Sequence, residues 1–146
     1  MNVEENLQVK QYKRLVSILP EYANTVLFTA PTYVDFREEA FYKRFSHKLM
    51  SSTNTENWIG TKKPKIEMPF RYYFDDEVAQ YMKKFDSFYE LEADEQTKTL
   101  LKEWHTDIKF LKFNHEILYT ISHEGEIHVV DEEFNNRLIK EGIVFA

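Results

Sequence analysis

Three short runs rich in β-branched and aromatic residues fill the last third of the chain and most constrain its fold. They read IKFLKF (108–113), EILYTIS (116–122) and EIHVVD (126–131), and only short connections separate them. Runs of this length and composition, with turn residues between them, are typical of antiparallel strands joined as hairpins. The sequence therefore predicts a three-stranded antiparallel meander.

Gly125 and the apolar pattern predict the register of the second hairpin. A three-residue loop at 123–125 needs a left-handed residue at its last position, which suits glycine. That loop gathers apolar side chains on one face, whereas a two-residue loop scatters them over both faces, since a slip of one residue exchanges the faces. The predicted pairs are Ser122 with Glu126, Ile121 with Ile127, Thr120 with His128, Tyr119 with Val129, Leu118 with Val130, and Ile117 with Asp131.

The first hairpin is predicted to turn at Asn114-His115 and to extend the same core face. Its pairs are then Phe110 with Tyr119 and Ile108 with Ile121. The other face carries apolar residues at one end and polar residues at the other, so we expect a helix to cover only half of it. Those outward residues are Leu111, Leu118, Val130, Lys109, Thr120, Ser122, Glu126 and His128.

Helices are predicted wherever apolar residues recur at helical spacing. The predicted ranges are 4–19, 36–49, 76–90 and 95–105, with a final helix over EEFNNRLIKE (132–141). Their ends carry the usual helix-terminating and capping residues. These are Pro20 after the first helix, Asp35 with Glu38 as a capping box on the second, Asp94 before the fourth, and Asp131 and Gly142 on the last.

Two further strands are predicted upstream of the meander. Residues 25–29 form a short apolar run closed by Pro31, and KIEMPFRYYF (65–74) alternates in part. Pro69 argues for an edge strand or a bulge, because proline lacks the N–H that a central strand donates. The polar segment 51–65 between them is long for a connection within a domain and is predicted to be a functional or merely mobile loop.

Length and composition predict one α+β domain spanning residues 1–146, with an antiparallel sheet, including the meander, packed against several helices mainly on one face. The chain has no cysteine, which excludes disulfides, thiol nucleophiles and cysteine metal sites. The N-terminal sequence lacks a signal-peptide pattern, and no run approaches the roughly 18 apolar residues of a membrane span. We therefore expect a soluble cytoplasmic protein without a membrane partner; its preference for residues with AT-rich codons suggests a bacterial or phage origin.

Charge is divided unevenly along the chain. Residues 1–74 carry eleven basic and eight acidic side chains, whereas residues 75–146 carry eight basic and seventeen acidic ones, and the net charge is −6. An acidic protein repels nucleic acid unless a local basic patch prevails, and it attracts basic proteins. We therefore predict a basic protein partner and name four partner-contact residues, Asp75, Asp76, Asp94 and Glu95.

The segment ISHEGEIHVVD (121–131) is the candidate for chemistry because it holds two of the five histidines together with three carboxylates. His123, Glu126 and His128 are possible metal ligands, but the predicted register places only Glu126 and His128 beside Thr120, a poor ligand. Zinc-protease, nucleophile-elbow and phosphate-loop motifs are absent from the sequence. We therefore predict neither a catalytic residue, nor a metal, nor a cofactor, and keep Thr120, Glu126 and His128 as a weak alternative site.

These observations favour a non-enzymatic protein-binding module, for example an immunity or antitoxin-type inhibitor of a basic partner. A metal-dependent or hydrolytic enzyme centred on the 121–131 hairpin is an alternative. A second alternative is a phage or regulatory nucleic-acid-binding protein that uses the basic, aromatic stretches of the N-terminal half, FYKRFSHK, TKKPK and RYY.

Overall fold

The protein is built around one antiparallel sheet. The computed structural model describes residues 2–3, 9–52, 69–89 and 98–143. The strands in these residues are β1 (Asn2–Val3), β2 (Thr25–Thr29), β3 (Leu49–Ser52), β4 (Pro69–Tyr73), β5 (Asp107–Lys112), β6 (His115–Ile121) and β7 (Glu126–Val129). They form one sheet in the order β1-β7-β6-β5-β2-β4-β3, and neighbouring strands are antiparallel throughout.

The helices pack on one face of this sheet. Those in the described residues are α1 (Val9–Ile18), α2 (Ala40–Phe45), α3 (Asp76–Met82) and α4 (Glu132–Lys140). Buried side chains of every helix join a single core cluster with alternate strand residues. The strand residues in that cluster include Val26, Phe28, Phe70, Tyr72, Ile108, Phe110, Leu118, Ile127 and Val129. The predicted α+β fold is confirmed.

Several predicted elements are present. The strand Thr25–Thr29 keeps its predicted bounds, and the three runs of the last third form β5, β6 and β7, of which β5 and β6 begin and end one residue earlier and β7 ends two residues earlier than predicted. Asp131 caps α4 by accepting a hydrogen bond from the Phe134 N–H at 2.9 Å, and Gly142 follows the helix with φ at 81°. These ends were predictable because each depends on one residue type with a specific backbone role.

The helix predicted over 36–49 is shorter. Asp35 caps a 3-10 turn at Phe36–Glu38, and α2 begins only after Glu39, whose backbone is extended. The buried Glu39 carboxylate accepts hydrogen bonds from the Lys102 and Glu103 N–H groups, and this tertiary contact interrupts the helix. The chain then enters β3 at Leu49.

The helix predicted over 76–90 ends at Met82. Beyond it the backbone bonds to a distant segment: the Asp86 N–H donates to Lys98 O at 2.7 Å and the Leu100 N–H donates to Ser87 O at 3.0 Å. The described part of the predicted 95–105 helix, from Lys98 onward, is therefore not helical and consists of a β-bridge, bends and turns. Residues 90–97 lie outside the described residues.

Other differences are local. Pro69 was predicted to mark an edge strand or a bulge. It is the first residue of β4, which lies between β2 and β3 and is therefore not an edge strand. Proline is tolerated there because the first residue of a strand need not donate. The β3–β4 pairing does contain a register shift, between Leu49 and Ser51 on β3. Residues 4–8 of the predicted first helix and 53–65 of the predicted loop lie outside the described residues.

The predicted hairpin registers were wrong by one residue. The observed pairs include Lys109 with Tyr119, Tyr119 with His128, and Thr120 with Ile127. The first turn is at Phe113-Asn114, and the second is a 3-10 turn, Ser122–Glu124, followed by Gly125 at φ 67°. Thr120 and Ser122 consequently face the core, while Tyr119 and Ile121 lie half-buried on the outer face.

Candidate functional site

The hairpin that suggested chemistry does not assemble the predicted set of residues. His128 Nε2 lies 2.8 Å from Glu126 Oε1, and its ring stacks on Tyr119 with centroids 4.8 Å apart. Thr120 is on the opposite face of the sheet, where its hydroxyl accepts a hydrogen bond from the Ile108 N–H. The weak alternative site of Thr120, Glu126 and His128 is therefore corrected to a Glu126–His128 pair.

His123 lies instead in a groove of about 400 Å³ at one end of the sheet. The groove also contains Tyr33, His105 and Asp107. His105 Nδ1 lies 3.1 Å from a Glu103 oxygen and 3.3 Å from the Tyr33 hydroxyl. Sequence reasoning missed this set because the residues come from distant loops. In the described part of the chain, no three His, Asp or Glu side chains converge as metal ligands.

The predicted partner-contact residues fall into different environments. Asp75 caps α3 through the Val78 N–H at 3.1 Å and lies 2.6 Å from Lys48 Nζ. Partial burial raises the pKa of Asp75, but the bonds from Lys48 and Val78 outweigh it and lower the pKa below its usual value. Asp76 is exposed in the first turn of α3, whereas Asp94 and Glu95 lie outside the described residues.

Three basic residues of the aromatic, basic stretch and its approach are engaged within the fold. Arg37 forms two hydrogen bonds with Asp35, and Lys48 bridges Asp75 and Glu77. The Arg44 guanidinium lies over the Tyr81 ring, 5.3 Å from its centroid. These contacts leave fewer free cations for phosphate than the sequence suggested.

A different surface carries exposed apolar side chains on ordered backbone. At the end of the sheet where β4, β5 and β7 end, Tyr73, Phe113 and Val130 are 57%, 71% and 48% exposed. Leu111, which pairs with Thr25 beside Tyr73, is buried but lies outside the core cluster. We call Tyr73, Leu111, Phe113 and Val130 the tip surface. Because Tyr73 and Val130 are separated by four strand spacings, it is about 19 Å wide.

Phe113 is held in an unfavourable conformation at this surface. Its φ is 56°, and among the described residues it is the one non-glycine with positive φ. Bulky side chains rarely adopt this region, and such strain persists only where neighbouring contacts impose it. The Phe113 N–H donates to Asn24 Oδ1 at 2.9 Å, and the Asn24 N–H and O bond Leu111 and Phe74. The exposed ring is therefore presented by an ordered turn.

Acidic side chains lie at the same end of the sheet as the tip surface. Both α3 and α4 begin at this end of the sheet, and their first turns carry exposed Asp76, Glu77, Glu132 and Glu133. Lys112 lies against the Phe113 ring at 5.7 Å. We call these four carboxylates the acidic rim. Sequence reasoning found the acids of α3 through its capping pattern but did not place those of α4 beside them.

Comparisons with protein-family models, curated protein sequences and solved structures found no significant match. The geometry of the site is therefore the basis for inferring its function. None of the helices in the described residues has the length and apolar character needed to cross a membrane.

Proposed function

We propose that the protein is a non-enzymatic binding module that occludes a basic protein partner, as immunity and antitoxin-type inhibitors do. The observation that carries the proposal is Phe113, an aromatic side chain that is 71% exposed on a strained, hydrogen-bonded turn. Strain of this kind is typical of functional positions, and exposed aromatic anchors are typical of interface hot spots.

The tip surface has the layout of an interface centre. Its apolar residues span about 19 Å, which fits inside a standard interface of about 800 Å² on each partner. The acidic rim would steer a basic partner and would remain partly solvated at the edge. This arrangement retains Asp76 from the predicted contact residues and adds Glu132, Glu133 and Glu77, of which Glu77 also pairs with Lys48.

The test uses the product of the gene adjacent to the one that encodes this chain as the candidate partner. Titration calorimetry would compare the wild-type protein with Phe113→Asn. Asparagine tolerates the left-handed conformation, so this variant should melt at the wild-type temperature or above it. Loss of a hot-spot side chain should nevertheless weaken binding by about 2 kcal/mol, roughly 30-fold.

Matched control variants distinguish binding by the tip surface from general effects of losing an exposed aromatic or acidic side chain. Tyr33→Ser removes an equally exposed aromatic (73%) at the opposite end of the sheet and should leave the affinity unchanged. Asp76→Lys with Glu132→Lys should slow association, whereas Glu38→Lys, an exposed acid far from the rim, should not. Equal affinities for wild-type, Phe113→Asn and Tyr33→Ser would refute the role of the tip surface, and no binding by any of them would refute this partner.

A further inference from the structure

A second surface has the opposite charge. A groove of about 590 Å³ lies between α1, the turn after α3 and the end of α4. Its cations are Lys10, Lys13, Arg14 and Lys83, and its single carboxylate is Glu141. We call it the lysine groove. It lies at the opposite ends of α3 and α4 from the acidic rim, about 10 Å away along α3 and about 14 Å away along α4.

Among the described residues, the groove is lined by more basic than acidic side chains. Arg14 NH2 lies 2.7 Å from Glu141 Oε1, so this arginine is already neutralised, and Arg137 holds the other carboxylate oxygen at 3.0 Å. Lys10, Lys13 and Lys83 form no ion pair with any carboxylate of the described residues. Three lysines without an ion pair among the described residues therefore line one groove in a protein whose net charge is −6.

The three lysines line one groove, so their like charges repel one another. A bound anion would relieve this repulsion.

We propose that the lysine groove binds a diphosphate group, free or attached to a small organic molecule. Lysine binds phosphate as a mobile point charge, and three ammonium groups balance the charge of about −3 that a diphosphate carries near neutral pH. The volume falls in the range of about 300–1,000 Å³ for small-molecule sites, so room remains beside Gly142 and Ile143 for an organic portion. This proposal is independent of the partner proposed for the tip surface.

The test measures binding of inorganic pyrophosphate, adenosine diphosphate and phosphoinositide-containing vesicles to the full chain at low salt. Lys13→Gln and Lys83→Gln should each weaken binding roughly tenfold or more, because each removes a charged hydrogen-bond donor. Lys43→Gln and Lys102→Gln remove exposed lysines elsewhere and should have no effect. Vesicle binding without binding of either soluble ligand would refute the diphosphate assignment, because a phosphoinositide headgroup carries separate phosphate monoesters and no diphosphate.

Two further results would also overturn the proposal. One is the absence of binding by pyrophosphate, adenosine diphosphate and vesicles alike. The other is binding that the groove variants and the control variants weaken equally, which would indicate non-specific attraction. Melting temperatures of the unliganded variants verify that each is folded, and the wild-type melting temperature should rise with ligand concentration because only the native state has the groove.

Discussion

Glu39 offers the sharpest test of how the fold is held together. Its side chain is 5% exposed, and its two carboxylate oxygens accept hydrogen bonds from the Lys102 and Glu103 N–H groups, each at 2.8 Å. The contact joins the start of α2 to a segment more than sixty residues away. Because 98–106 forms neither helix nor strand, Glu39 satisfies backbone groups that secondary structure would otherwise bond.

The expected cost of removing Glu39 follows from these two bonds. A hydrogen bond to a charged group contributes about 1.5–3 kcal/mol, and Glu39→Ala removes two and leaves both donors unpaired. We expect the free energy of unfolding to fall by about 3–5 kcal/mol, from a total of about 5–15 kcal/mol for a domain. Glu39→Gln keeps one acceptor oxygen and should lose about half as much.

Urea unfolding followed by fluorescence would measure these differences, since Trp104 lies within the segment that Glu39 holds. The control is Glu38→Ala, which removes the exposed neighbouring carboxylate and should change stability by less than about 0.5 kcal/mol. If Glu39→Ala matched Glu38→Ala, the two hydrogen bonds would contribute nothing and the reasoning would be wrong.

Two further predictions concern α4. Burial raises the pKa of Asp131, whereas the hydrogen bonds from His115 and the Phe134 N–H lower it. The net effect is that Asp131 has a pKa below the usual value. Its charge therefore adds stability above about pH 4 that is lost as pH falls through the lowered pKa, and Asp131→Asn, which keeps the cap, should flatten urea stability curves between about pH 3 and 5. Gly142 has φ 81°, and a methyl group on its Cα would meet no atom of the surrounding structure within 4 Å. Gly142→Ala should therefore cost about 1–2 kcal/mol of unfolding free energy through backbone strain alone, and Gly142→Asn less, as the same urea titrations would show.

Local rules predicted the elements that local chemistry controls. Asp131 and Gly142 bound α4, and the apolar run Thr25–Thr29 forms β2, because each depends on neighbours in sequence. Helix lengths were overestimated where distant backbone groups compete, as at Ser87, which pairs with Thr99. Periodicity reports which residues are buried, and burial against a loop continues the same apolar pattern beyond the last helical turn.

The candidate site was less predictable for a related reason. The acids at the start of α3 are visible in sequence, but their proximity to the first turn of α4 follows from strand order, which places β4 and β7 in one sheet. The exposure of Phe113 was not predictable from the sequence, since a phenylalanine before Asn114 is typical of an ordinary strand end. Only its φ of 56° and its exposure distinguish it from a core aromatic.

The register difference has one origin in β6. The strands that flank β6 bury the residues predicted to face the core: Ile108 and Phe110 on β5, and Ile127 and Val129 on β7. Only β6 therefore presents the opposite face from the one predicted. Both faces of β6 carry apolar residues, so its sequence pattern does not select one face. In the structure Thr120 and Ser122 are buried, and Tyr119 and Ile121 are not.

Buried hydroxyl groups stabilise the observed choice. The Ile108 N–H donates to Thr120 Oγ1 at 3.0 Å, Thr120 and Ser122 hydroxyls lie 2.9 Å apart, and Ser122 Oγ donates to Thr106 O at 2.8 Å. Leaving such backbone groups unpaired would cost about 1–3 kcal/mol each, while Tyr119 and Ile121 keep part of their burial on the outer face. Two satisfied backbone groups thus outweigh a more uniformly apolar face, which explains why counting apolar residues selected the wrong register.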